Sequence, residues 1–102
     1  MKVTTKKIQN KLYFFLDGEL DQSVAEQIRN EMDNCINVNK PLSVIFNMNK
    51  LNFMDSTGIG LILGRYKKLK KERISLYIEN PNLQIDKVLK ISGIYNIIPI
   101  LR

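Results

Sequence analysis

Two apolar runs, Leu42 to Met48 and Ile74 to Ile78, flank a segment with the three-and-four spacing of an amphipathic helix. A strand, a helix and a strand in that order leave few options beyond a layered α/β fold. Asp55, Ser56 and Thr57 open the helical segment, and all three are residue types that cap a helix with a side-chain oxygen. Ile59, Ile62, Leu63, Tyr66 and Leu69 then mark one side, and a lysine cluster ends it, which suits the negative end of the helix dipole.

Three glycines interrupt this helix. Gly58, Gly60 and Gly64 each cost roughly 1 kcal/mol against alanine in a helix interior. At ~100° per residue the five periodic apolar side chains centre on one side, which must face the core. Gly60 and Gly64 fall nearly opposite, beside Thr57, Leu61 and Lys68. Core packing does not account for them there. They form a bare strip of helix backbone, with Leu61 as its single apolar side chain, that another macromolecule can approach closely. Leu61 is therefore expected on the surface.

The flanking chain extends the alternation. Val3 to Ile8 and Leu12 to Leu16 are β-rich and are separated by the turn-forming Gln9-Asn10-Lys11, which predicts a hairpin. Asp17 to Asp21 breaks the pattern. Ser23 with Glu26 has the spacing of a capping box, and Asp21 is a competing cap. Val24, Ala25, Ile28, Met32, Cys35 and Ile36 mark the apolar side of a first helix, which makes Cys35 a small core residue. The apolar run from Leu42 is expected as a central strand, covered on both faces or nearly so. Asn80-Pro81 signals a third helix through Val88, Leu89 and Ile91, closed by Gly93. Ile97 to Leu101 is a last strand that Pro99 confines to an edge. The expected architecture is thus α/β, a mixed sheet with helices packed on it, in the order ββαβαβαβ. Right-handed crossovers bring Asp21 and Ser56 to neighbouring loops at one end of the sheet.

The chain's 102 residues suffice for one core and not for two. No apolar run approaches the ~20 residues of a membrane span, and the basic N-terminus has no apolar stretch behind it, so a cytoplasmic protein without membrane partner is expected. With no histidine and one cysteine, there are almost no ligands for zinc or an iron–sulfur cluster. No cofactor or metal is expected. Histidine-based acid–base or triad catalysis is ruled out, Ser56 lies in no G-x-S-x-G elbow, and no phosphate-binding G-x-x-x-x-G-K-[ST] occurs. An enzyme is not expected. The net charge of +6 is spread out, and the Lys67–Arg73 cluster is interleaved with only Tyr66, so direct nucleic-acid binding is not expected either. A serine at a helix N-terminus is, by contrast, a good phosphoacceptor, because the dipole partly stabilises the added charge. Thr57 follows directly, and residue type alone leaves both hydroxyls as candidates.

The segment Phe53-Met54-Asp55-Ser56-Thr57-Gly58-Ile59-Gly60-Leu61-Ile62-Leu63-Gly64-Arg65-Tyr66-Lys67 closely resembles the signature of the STAS-domain anti-sigma factor antagonists. Gly18-Glu19-Leu20-Asp21 with Ala25-Glu26, and Ile91-Ser92-Gly93-Ile94, match the family as well. The Leu63–Lys67 continuation favours the sporulation branch, which antagonises the anti-sigma F factor, over the general-stress branch. The resemblance implies a STAS domain over residues 1–102, lacking the final helix usual in the family. It implies that Ser56 is phosphorylated by an anti-sigma factor that is itself an ATP-using serine kinase. The unphosphorylated form binds that kinase and frees the sigma factor, and a serine phosphatase resets the switch. Asp21 is placed at the docking surface. The implied partner-binding set is Asp21, Asp55, Thr57, Gly58, Gly60, Leu61, Gly64 and Arg65. The alternative is a STAS module of another signalling or transporter system that works without a phosphorylation cycle.

Overall fold

The structure is a computed structural model and describes residues 1–101. Five strands and three helices follow in the expected order: β1 (Lys2–Ile8), β2 (Lys11–Leu20), α1 (Gln22–Asn39), β3 (Ser43–Met54), α2 (Ser56–Lys71), β4 (Ser75–Glu79), α3 (Leu83–Ser92) and β5 (Ile100–Leu101). The strands lie side by side in chain order. β1 is antiparallel to β2, and every later pair is parallel. The sheet is therefore mixed, β3 is its central strand, and β5 with the adjoining Pro99 sits at an edge.

Period-two alternation builds the core face. Leu12, Phe14 and Leu16 of β2, Val44, Phe46 and Met48 of β3, and Leu76 and Ile78 of β4 are buried in one cluster. Ile28, Met32 and Ile36 of α1, Ile62 and Leu69 of α2, and Ile85 and Leu89 of α3 join the same cluster, so the three helices bury their apolar sides together. Cys35 packs against the edge of this core. On the opposite face, Ile45 lies in register between Tyr13 and Tyr77 and is also buried, although it does not belong to that cluster. The central strand is covered on both sides as expected, one side by neighbouring side chains on the sheet.

Several boundaries differ from the sequence expectation. β2 does not stop at Leu16. It continues to Leu20 through two register shifts against β3, at Phe15/Asp17 and Gly18/Glu19, with Gly18 at φ 116°. Bulges absorb the irregularity that the polar residues of this stretch suggested was a break. β3 correspondingly runs on from Met48 to Met54. Asp21, not Ser23, caps α1: its carboxylate accepts from the Ser23 backbone N–H. α3 starts at Leu83 behind the cap Asn82, whose side chain also donates to the Leu51 carbonyl, and Gly93 ends it in the left-handed conformation. The last strand is shorter than expected because the backbone N–H groups of Ile97 and Ile98 close the 3₁₀ turn of Ile94–Asn96 on the Ile94 carbonyl, and Pro99 has no N–H to give.

Candidate functional site

The register of β2 on β3 determines where the site lies. Leu20 pairs with Met54 in parallel alignment, so the next residues, Asp21 and Asp55, leave the sheet side by side and cap the adjacent helices α1 and α2. Asp55 Oδ1 accepts from the backbone N–H groups of Thr57 at 3.0 Å and Gly58 at 3.2 Å. These are two of the four donors that an α-helix leaves unpaired at its start. Asp21 Oδ1 accepts from the Ser23 N–H at 2.9 Å and from the Ser23 hydroxyl at 2.6 Å. The hydroxyl bond, chiefly, holds the Asp21 carboxyl below its ordinary pKa.

Ser56 is the first residue of α2, and its side chain is exposed. No acidic residue lies in the first helical turn. Among the described residues nothing hydrogen-bonds the Ser56 hydroxyl. Thr57 is half-buried and turns instead toward the groove between α1 and α2.

That groove, of about 630 Å³, runs from Thr57 past Gly60 and Gly64 on α2, with Gln22, Ala25, Glu26 and Arg29 on the α1 side. A Cβ added at Gly60 or at Gly64 would meet nothing within 4 Å. The bare strip expected from the helical wheel is present, and it forms one wall of a groove.

Three residues of the implied partner-binding set are buried. Leu61 is 7% exposed and belongs to the core cluster, so its expected exposure is incorrect. Arg65 is 8% exposed. Gly58 is buried, and a Cβ there would run into the Met54 side chain and come within 3.1 Å of the Leu20 carbonyl. Its missing side chain lets α2 start close against β2 and β3. For Leu61 and Arg65 the reason is the neighbouring helix α1. α1 packs along one flank of α2. The mean direction of the buried set Gly58, Leu61, Ile62, Arg65 and Leu69 is thereby turned by roughly 80° from that of the periodic apolar residues, at ~100° per residue. Leu61 and Arg65 still line the groove floor, but as packed residues.

Arg65 Nε lies 3.0 Å from Asp33 Oδ1 of α1. The N–H is not directed at the oxygen, so this is a charge–charge contact, and Nε, Nη1 and Asp33 Oδ1 are covered without a hydrogen-bond partner. Burial lowers the Arg65 pKa, Asp33 raises it and the charge of Arg29 lowers it again. The α1 residues of the groove were not foreseen. Toward a binding role, Ala25 and Glu26 enter only as part of the family match, and nothing in the sequence marks Gln22 or Arg29.

The STAS-domain family pattern matches residues 2–102. The anti-sigma F factor antagonist of Paenibacillus polymyxa is 34% identical over 85 residues, covering 83% of this chain and 73% of that protein. That of Lysinibacillus sphaericus is 38% identical over 79 residues, covering 78% and 68%. The anti-sigma-B factor antagonist of Bacillus subtilis is 28% identical over 100 residues, covering 98% and 90%. Among solved structures, the anti-sigma factor antagonist SpoIIAA in its unphosphorylated form superposes with a TM-score of 0.84 at 29% identity, covering 99% of this chain and 89% of that one. The phosphorylated form of the Bacillus protein gives 0.75 at the same identity, with 99% and 92% covered. The chain belongs to the STAS-domain family and, within it, to the anti-sigma factor antagonists.

Proposed function

We propose that this chain is a phosphorylation-switched anti-sigma factor antagonist of the sporulation type. The unphosphorylated protein binds an anti-sigma factor that is also a serine kinase, and the bound sigma factor is released. The kinase uses ATP to phosphorylate Ser56, which ends the interaction, and a serine phosphatase restores the active form. The protein itself is a cytoplasmic, non-enzymatic regulator; no helix among the described residues is long and apolar enough to cross a membrane.

The observation that carries this reading is the placement of Ser56. It is exposed at the first position of α2, next to a groove wall stripped of side chains at Gly60 and Gly64. A phosphate there gains the helix dipole, worth roughly 0.3–1 kcal/mol, and meets the carboxylates of Asp55 and the neighbouring Asp21. The free protein tolerates it. In a complex the same dianion would be desolvated against a surface shaped for a neutral hydroxyl, where an unpaired charge is costly. Thr57 is the poorer acceptor, being half-buried and turned into the groove.

The test is incubation with the anti-sigma serine kinase from the same genome and ATP, followed by phosphopeptide mapping. Wild type and Thr57→Ala should be labelled on Ser56. Ser56→Ala should bind the kinase and remain unlabelled, and Ser56→Asp should bind poorly. Label on Thr57 in the wild type, or label on Ser56→Ala, overturns the assignment.

A further inference from the structure

The groove between α1 and α2 carries a charge arrangement that recognition of the Ser56 hydroxyl does not use. Arg65 is more than nine-tenths buried; among the described residues its Nε and Nη1 are covered and have no hydrogen-bond acceptor, whereas Nη2 is not covered in this way and Arg65 lines the groove. Its one ionic contact among the described residues, Asp33, lies beside the Nε edge. Arg29 lines the same groove from α1, and its only ion pair among the described residues is with Glu26 at 3.8 Å, whose side chain is 83% exposed. Such a pair is loose and screened by solvent. Arg29 and Arg65 therefore repel each other across a space that neither Glu26 nor Asp33 fills.

We infer that this groove receives a carboxylate side chain of the docking protein, bridged between Arg29 and Arg65. The inference rests on the reading that an anti-sigma kinase docks on this face. The chemistry follows from the donors: each guanidinium can take one oxygen of a carboxylate, and such charge-assisted bonds are stronger than neutral ones. Gly60, Gly64 and Ala25 make the wall low, so a partner backbone comes close enough for a side chain as short as aspartate or glutamate to reach the floor. Asp33 then acts as the fixed counter-charge that holds Arg65 in place before the partner arrives.

Calorimetric titration of the anti-sigma serine kinase into wild type, Arg29→Ala and Arg65→Met, at two salt concentrations, tests this. Both substitutions should weaken binding at least tenfold and flatten its salt dependence. Arg29 is exposed, so Arg29→Ala keeps the test valid even where Arg65→Met fails to fold. Arg29→Glu should lose binding and regain it when one acidic residue of the kinase is changed to arginine. If the kinase binds wild type and both variants equally, the carboxylate site is overturned while the antagonist reading stands. If the kinase does not bind wild type at all, both fall.

Discussion

One helix carries two kinds of glycine, and they do opposite things. Gly58 is buried where α2 leaves the sheet, and a methyl group there would press on Met54 and the Leu20 carbonyl. Gly60 and Gly64 lie on the outer side, where a methyl group would touch nothing. The first serves the fold, because only a residue without a side chain lets the helix start this close to β2. The others lower helix stability by roughly 1 kcal/mol each with no packing return in the free protein. Residue type alone does not distinguish the two, whereas the local space around each Cβ does. A glycine that the fold does not need is the one that points to a partner.

Leu61 gives the largest effect expected at this boundary. It sits beside Gly60 yet belongs to the core. Leu61→Asp should cost at least about 3 kcal/mol, since a buried leucine is lost and a charge takes its place. Chemical denaturation measures it. A loss below about 0.5 kcal/mol, the range of an ordinary surface change, would return Leu61 to the surface side and break the comparison. Gly58→Ala comes next. The gain in helix propensity is offset by the clash, and a net loss of about 1–2 kcal/mol is expected. A Gly58→Ala protein more stable than wild type would show that this glycine belongs with the other two.

Gly60→Ala and Gly64→Ala should instead stabilise the free protein by up to ~1 kcal/mol each, read as a rise in the thermal midpoint. Gly64→Gln should fold normally and fail to bind the kinase. Unchanged kinase binding by Gly64→Gln would remove the reason for treating the strip as an approach surface.

Most of the fold was legible because its signals are local. Element order, the central strand, the Gly93 helix end and the neighbouring placement of Asp21 and Ser56 all follow from period, punctuation and crossover geometry. The site was legible only in part. The wheel correctly set Gly60 and Gly64 apart, but it placed Leu61 outside because it counts apolar residues on one helix alone. What buries Leu61 and Arg65 is the flank of α1, and no pattern within residues 55–71 states which side another helix will cover. The Asp33–Arg65 contact, between residues on different helices, is the physical trace of that packing. The extension of β2 was hidden for a related reason: bulges keep the ladder going where the alternation fails.

The starts of α1 and α2 allow the finest comparison. Asp55 caps α2 through two backbone N–H groups, whereas Asp21 caps α1 through one N–H and the Ser23 hydroxyl. Only for Asp21 does a hydroxyl act on the charged form, and it lowers the pKa. The folded-state value is thus below the ordinary ~3.9 of an unfolded aspartate. The linkage sign follows: the capping contribution is fully present above about pH 4 and is lost as pH falls through the folded value. Because this carboxylate is at the surface, the effect is best observed as a titration midpoint and not as a stability change. Carbon-detected NMR should place the Asp21 midpoint below ~3.9. Ser23→Ala should raise it toward the ordinary value, while Thr57→Ala, at the start of the other helix, should leave it unchanged. A wild-type Asp21 that titrates at the ordinary value would mean that the hydroxyl bond does not form in solution. The two caps would then differ in sequence alone.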